Sequence, residues 1–165
     1  MLDLVAPTQE VFDRWFEESA ERQAGDRAWV SGRDPTEERA RLDAMIPSLL
    51  PEGKESPGHV FRVARAEDGS DVAFVWFGAP PGMPANMKLL FDICVAPEHR
   101  RRGYARAILT EMLAQLASEG ATAVALNARG DNAPALALYE SLGFVRTETS
   151  DDGKQVEMLL ELGRA

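Results

Sequence analysis

The sequence predicts a mixed α/β (α+β) fold, a mainly antiparallel sheet of six to seven strands flanked by about four helices. Three observations carry this reading. Residues 9–50 hold two stretches whose apolar side chains recur at helical spacing. From residue 59 the period shortens to that of strands, and between residues 88 and 127 a strand, a long amphipathic helix and a second strand follow one another. Strands and helices in that order build a layered sheet, since each must bury one apolar face against the other.

In chain order, residues 2–5 form a short strand, and Thr8 then caps a helix running to about residue 23 with Phe12, Trp15 and Phe16 on its inner side. Asp34-Pro35-Thr36-Glu37 announces a second helix, with a capping carboxylate, Pro at the first helical position and Glu at the third. Its stripe is Leu42, Met45, Ile46, Leu49 and Leu50, and Pro47 kinks or ends it. Residues 59–66 and 71–78 read as strands joined by the turn Glu67-Asp68-Gly69-Ser70. Residues 88–95 are nearly all apolar, the pattern of a strand covered on both faces. A helix over residues 102–118 places Ala105, Ile108, Leu109, Met112, Leu113 and Leu116 at spacings of three and four before Gly120 closes it. Residues 122–127 make another strand, and Asn132 caps a helix with Ala135, Leu138, Tyr139 and Leu142 inward and Gly143 at its end. Residues 144–149 and 155–162 close the chain as a hairpin around Asp151-Asp152-Gly153-Lys154.

At 165 residues the chain is the size of one domain, expected to span 1–165 and to bury roughly 70% of its unfolded surface. A composition of 45% hydrophobic and 27% charged residues is that of a globular protein. No apolar run approaches the ~20 residues of a membrane span, and the first residues lack a basic, apolar leader. Cytoplasmic residence away from membranes is the expectation. Cys94, the one cysteine, excludes an internal disulfide and a cysteine-rich zinc cage, and its apolar setting reads as a buried, inert thiol. The two histidines, His59 and His99, are far apart, so no metal site is expected. A net charge of −9 argues against general nucleic-acid binding.

Against that acidic background, Arg100, Arg101, Arg102 and Arg106 crowd the place where the third helix begins. A helix N-terminus already carries about half a positive charge, so each arginine there is unfavourable by roughly 0.3–1 kcal/mol. A bound anion compensates: the free N–H groups of residues 101–105 can cradle it, Gly103 permits close backbone approach, and guanidinium groups add charge-assisted bonds. The alternative is a solvated basic patch paired with Glu98 and Glu111. Neither Gly-x-x-x-x-Gly-Lys-Ser/Thr nor Gly-x-Gly-x-x-Gly occurs, which disfavours a nucleoside-triphosphate loop and a dinucleotide fold.

Val95-Ala96-Pro97-Glu98-His99-Arg100-Arg101-Arg102-Gly103-Tyr104-Ala105 resembles the signature of the GCN5-related N-acetyltransferase (GNAT) superfamily, a strand ending in Val, a Pro-containing turn and Arg/Gln-x-x-Gly-x-Gly/Ala opening a helix. The segment Asn132-Ala133-Pro134-Ala135-Leu136-Ala137-Leu138-Tyr139-Glu140-Ser141-Leu142-Gly143-Phe144 is similar to a second motif of that family, Asn-x-x-Ala-x-x-Leu-Tyr-x-x-x-Gly-Phe. The resemblance covers residues 72–162 and is only architectural before them.

The resemblance implies a sheet splayed between its fourth and fifth strands and transfer of an acetyl group from acetyl-CoA to an amine, without a metal. It implies that the N–H groups of Arg101, Arg102, Gly103, Tyr104 and Ala105 hold the pyrophosphate, with Arg100 in the motif's first place and Arg101, Arg102 or Arg106 reaching the remaining phosphate. The backbone of Ile93, Cys94 and Val95 pairs with the pantetheine arm, which enters beside Leu126 and Asn127, and Asn132 and Ala135 border it. Asn132 serves equally as a simple helix cap. Tyr139 takes the place of the general acid for the departing thiolate, or else is a core tyrosine. The attacking amine must lose a proton, and Asp92, a carboxylate in an apolar strand, is the first candidate base ahead of Glu98 and His59, unless it merely pairs with the backbone or an arginine.

Acceptor choice is expected to rest with the first helices and the closing hairpin. Trp15, Phe16, Trp29 and Trp76 are candidates for its pocket or for the core, and the proline-rich loop at residues 80–84 is a candidate border. The leading reading is an N-acetyltransferase acting on a small-molecule or peptide amine, as a monomer or homodimer. The alternative is a non-catalytic acyl-CoA-binding, protein-interaction module of the same fold.

Overall fold

The computed structural model describes residues 2–163. Its strands are β1 (Asp3–Val5), β2 (Val60–Arg65), β3 (Asp71–Gly78), β4 (Met87–Val95), β5 (Ala123–Arg129), β6 (Val145–Thr149) and β7 (Gln155–Glu161). They form one sheet in the order β1-β2-β3-β4-β5-β7-β6. Among the described residues only β4 and β5 run parallel, and the helix between them, α3 (Tyr104–Ser118), makes the crossover that a parallel pair requires.

The sheet is covered on both faces. Ile108, Leu109 and Met112 of α3 and Leu136 of α4 (Ala133–Ser141) pack on Val72, Val75, Phe77 and Leu90. On the opposite face Phe12 and Trp15 of α1 (Gln9–Ser31) and Leu50, just after α2 (Pro35–Leu49), meet Phe61, Phe74 and Trp76. This second core is aromatic: Trp15 stacks over Phe74 at 6.2 Å, and Trp76 over Phe91 at 4.2 Å. Trp15 and Trp76 are therefore core residues.

One irregularity in β4 sets the geometry of everything around it. Trp76 pairs with Asp92 and the next residue, Phe77, pairs with Leu90, so Phe91 has no partner and forms a β-bulge. In a regular strand Leu90 and Asp92 would share a face. The extra residue breaks that alternation. Leu90 packs into the core under α3, while Asp92 joins Phe91 on the side of α1. At the same point the pairing with β5 stops, since β4 and β5 are in register only from Met87 opposite Ala123 to Leu90 opposite Leu126. This is the splay that the motifs imply. Residues 91–95 of β4 keep β3 on one side and, among the described residues, have no strand on the other.

Several boundaries differ from the sequence reading. The first helix does not end near residue 23 but continues to Ser31, where Gly32 caps it in the left-handed conformation (φ 75°). Gly25 does not stop it, because Ala20, Ala24 and Ala28 recur at i, i+4 and stay buried along its inner side. The third helix begins at Tyr104, so Arg102 and Gly103 belong to the turn before it. Pro47 lies within the last turn of α2, which ends two residues later at Leu49. The fourth strand is not fully covered: only Leu90 is buried, and the other residues are half-buried because the splay uncovers them. Cys94 is likewise half-buried, and burial pushes its thiol above the usual range. Among the described residues no helix is long and apolar enough to cross a membrane.

His59 closes the aromatic core, its Nδ1 accepting the Trp76 indole N–H at 3.0 Å. That bond requires an unprotonated Nδ1, and burial, aided by the charge of Lys88, lowers the imidazole pKa from its ordinary 6.5. The unfolded chain therefore binds a proton on this residue at a pH where the folded chain does not, so this contribution to stability is present above about 6.5 and lost as pH falls toward the folded value. Thermal melts across that range should show this acid-side loss, and His59→Gln, whose amide oxygen can accept the same indole N–H, should flatten it.

Candidate active site

Between α1 and the parted ends of β4 and β5 lies a cavity of about 560 Å³. Asp92 and Ile93 enter it from β4, Asn127 and Arg129 from β5, and Asn132, Ala135 and Tyr139 from α4 and its cap. Six of the residues singled out in the sequence (Asp92, Ile93, Asn127, Asn132, Ala135 and Tyr139) thus share one wall or another of a single space.

Asp92 is carried there by the bulge and is met by Arg22 of α1, whose Nη2 donates to Oδ2. Its side chain is 10% exposed. Burial pushes the carboxyl above its ordinary value, against the opposing pull of Arg22 and of a hydrogen bond from Ser19. The arginine pairing foreseen as the ordinary role is therefore present, and it coexists with a carboxyl shifted toward the range useful to a base.

Tyr139 faces the same cavity. Burial pushes its phenol up to about 12, and the negative charge of Asp92 adds to the shift, so the hydroxyl keeps its proton throughout the neutral range. Its ring rests edge-on against Phe144 at 5.8 Å, and its carbonyl accepts the Phe144 N–H at 3.1 Å. Asn132 caps α4 by accepting the Ala135 N–H at 3.3 Å while lining the cavity, so capping does not remove it from the site. Asn127 accepts a bond from Gln155 of β7 at 3.3 Å.

The arginine-rich turn does not line this cavity. It follows the free edge of β4, after a 3₁₀ turn at Pro97–His99. Arg101 and Gly103 both adopt the left-handed region, at φ 61° and 79°. Successive residues of alternating hand turn consecutive N–H groups toward one side, the geometry of an anion-binding nest. Among the described residues the N–H groups of residues 101–105 meet no acceptor, the first helical bond being Ala107 N–H to Gly103 O at 3.1 Å. The side chains are partly committed. Arg100 Nε donates to Val95 O at 3.0 Å, Arg102 Nη2 to Glu98 O at 3.3 Å, and Arg106 Nη2 to Ser141 Oγ at 2.6 Å, tying α3 to α4. Arg102, Gly103 and Tyr104 border a second hollow of about 660 Å³ beneath β1 and the β2–β3 turn.

Other candidates fall elsewhere. His59 is held by Trp76 and residues 80–84 form no part of the cavity wall, nor do Glu98, Trp15, Phe16 or Trp76. Among the described residues no cluster of His, Cys, Asp or Glu is arranged to hold a metal ion. What the sequence reading missed is the last third of α1. Gln23, Asp26, Arg27 and Val30 line the cavity, and the i, i+3, i+4 spacing of 23, 26, 27 and 30 was available as a signal beyond residue 23.

The far end of α1 is clasped to the other half of the sheet. Arg129 donates to Asp26 at 3.1 Å and to Asp131 at 2.7 and 2.9 Å, and its guanidinium sits 4.2 Å over the Trp29 ring. Lys154, in the β6–β7 turn, lies 5.3 Å from the same ring and donates to Trp29 O at 3.1 Å. The turn reaches this position because Gly130 lets it lie directly on the end of β5: Gly130 N–H bonds Lys154 O at 2.8 Å, and a Cβ on Gly130 would stand 1.8 Å from Gly153 O.

A family model described as the acetyltransferase (GNAT) family matches residues 12–144. The [ribosomal protein bS18]-alanine N-acetyltransferase of Escherichia coli K12 is 46% identical over 55 residues, 33% of this chain and 37% of that relative's length, so the likeness spans little more than a third of it. An uncharacterised N-acetyltransferase of Bacillus subtilis, YycN, is 28% identical over 104 residues, 63% of this chain and 67% of its own. The crystal structure of YycN matches the fold with a TM-score of 0.81 at 23% identity over 91% of this chain and 96% of that one. A spermidine N-acetyltransferase from Vibrio cholerae, solved with CoA and spermine, matches at 0.70 and 17% identity over 99% and 96% of the two chains.

Replacing Gly130 with Ala should force the β6–β7 turn off β5 and weaken the clasp with it. The expected cost is about 1–3 kcal/mol, the range for overpacking a close contact, read as a lower midpoint in urea denaturation.

Proposed function

The chain belongs to the acetyltransferase (GNAT) family, and on that premise we propose that it is an N-acetyltransferase moving an acetyl group from acetyl-CoA to a primary amine by direct transfer in a ternary complex. The observation that carries this reading is the single cavity, where the uncovered edge of β4 meets both a carboxyl raised by burial and a phenol that keeps its proton.

The residues present suit the donor. Unmet N–H groups at 101–105, in a turn made by two left-handed residues, match the needs of a pyrophosphate. The free edge of β4 at 93–95 offers backbone groups to the amides of the pantetheine arm, which satisfies both partners. Arg101 and Arg102 supply positive charge beside the nest, while Arg106 acts through α4 as well. Asn132 and Ala135 border the arm's path from the α4 side.

Acetyl-CoA supplies an activated thioester: the amine nitrogen forms a bond to the carbonyl carbon, the C–S bond breaks, and the thiolate leaves. Two protons must then be managed by the chain. Asp92 takes the proton that the amine loses, and Arg22 steadies the carboxylate in the direction of the cavity. Tyr139 gives a proton or a hydrogen bond to the departing sulfur. Its phenol is a weaker acid than a thiol, so its contribution rests on position and on the thiolate's charge in a partly desolvated space.

Thiol release from acetyl-CoA in the presence of an amine panel tests the activity, and binding without release with any amine would leave a non-catalytic acyl-CoA module. Tyr139→Phe should lower kcat by about 10²-fold or more while the stabilisation given by acetyl-CoA in thermal melts stays unchanged. In the parent protein, with the phenol at about 12, kcat should show no alkaline decline attributable to this residue up to pH ~10. Gly103→Val should act on the donor side: among the described residues no neighbour lies within 4 Å of the added Cβ, but φ 79° is costly for a branched residue. Its expected signature is a weaker acetyl-CoA affinity in calorimetry with the fold retained.

A further inference from the structure

The cavity holds more guanidinium than carboxylate, in a chain whose net charge is −9. The three carboxylates on its walls are all engaged. Asp92 is held by Arg22, Asp26 by Arg129 at 3.1 Å, and Glu38 by Ser31 Oγ at 2.8 Å and Arg33 at 3.4 Å. Glu38 is buried, and these bonds hold its carboxyl below the ordinary range, so it stays ionised and satisfied. The fourth arginine of the lining, Arg27, is different. Among the described residues its guanidinium meets no carboxylate, and its one hydrogen-bond contact is Nη1 to Met45 Sδ at 3.7 Å, a weak acceptor. Arg129 is held by both Asp26 and Asp131, so among the described residues Arg27 is the arginine of the lining whose charge no carboxylate meets.

The position of Arg27 fits a ligand spanning the cavity. It stands on the face of α1 shared by Gln23 and Val30, and about 7.5 Å along the helix axis from Arg22, which marks the Asp92 end. A polyamine would bring further positive charge to walls that offer it no free carboxylate. An amine that also carries a carboxylate would place the amine near Asp92 and pair its own negative charge with Arg27.

Resting on the reading of this cavity as the acceptor site, we propose that the acceptor is a small amino carboxylate, with Arg27 as the residue that binds its carboxylate. The volume, about 560 Å³, is that of a small-molecule site. An acceptor lying along α1 beyond Arg27 would meet the Lys154–Trp29 contact, which favours a small molecule over a polypeptide.

The test is acetyl-CoA-dependent thiol release by the full chain with α-, β- and γ-amino acids, their carboxamides, spermidine and short peptides. Amidation removes the carboxylate and lowers the pKa of the neighbouring amine, so chemistry alone would favour the carboxamide. A preference for the carboxylate therefore reports recognition. The expected result is a kcat/KM about tenfold or more higher for an amino acid than for its carboxamide. Arg27→Gln should raise KM for the amino acid by about tenfold, leave its kcat and the carboxamide kinetics in place, and be partly rescued in Arg27→Lys. The inference is overturned if acetyl-CoA stabilises the protein but amino acids are not acetylated. It is also overturned if carboxamides, spermidine or peptides are used as well as amino acids, or if Arg27→Gln changes carboxylate and carboxamide kinetics alike. Failure of acetyl-CoA to raise the melting temperature would instead remove the donor reading on which the proposal rests.

Discussion

A single unpaired residue in β4 organises this molecule. With Phe91 bulged, the strand changes the face to which its side chains point and loses its partner β5 at the same place. The two effects depend on each other. A carboxylate on the α3 side would be buried among Leu90, Ile108 and Leu109 with no cation to meet it, a placement that costs far more than a bulge does. Rotated to the α1 side, Asp92 finds Arg22 and Ser19. The backbone groups left open on β4 by the loss of β5 are those that the proposed function assigns to the pantetheine arm.

How far the sequence could be read depended on whether local pattern or tertiary packing decided each feature. The element order and the crossover were legible, because period, caps and turns are local: Thr8, Asp34 and Asn132 each cap the helix they announce. The two motifs located the arginine turn and Tyr139 for the same reason. The direction of Asp92 was not legible, since an aspartate in an apolar run looks the same on either side of a bulge. The length of α1 was not legible, since beyond residue 23 the chain holds Gly25, a residue that weakens a helix by about 1 kcal/mol but is outweighed when Ala20, Ala24 and Ala28 are buried along the same side. Missing those turns meant missing Asp26 and Arg27, and with them the electrostatic character of the cavity.

The arginines illustrate a further limit. Their number at the start of α3 points to an anion or to a solvated basic patch, and in the structure Arg100 donates to Val95 O at the end of β4, Arg102 to Glu98 O, and Arg106 bridges to α4. The backbone, bent twice into the left-handed region, contributes the ordered donors. Side-chain charge near an anion site and the groups that shape the site are separate properties, and only the former can be counted from composition.

The clasp at the end of α1 bears on how such a cavity can change. The helix is fixed at its start by Phe12 and Trp15 in the aromatic core and at its end by Arg129 and Lys154 against Trp29. Between those anchors it behaves as a beam supported at both ends, so exchanging one of its inward side chains alters what the cavity recognises without altering where its walls stand. The groups proposed to hold the donor lie on other elements, in the turn before α3 and along β4. On the proposed function, recognition of the acceptor can therefore diverge by single substitutions in one helix while the residues assigned to the thioester stay constant.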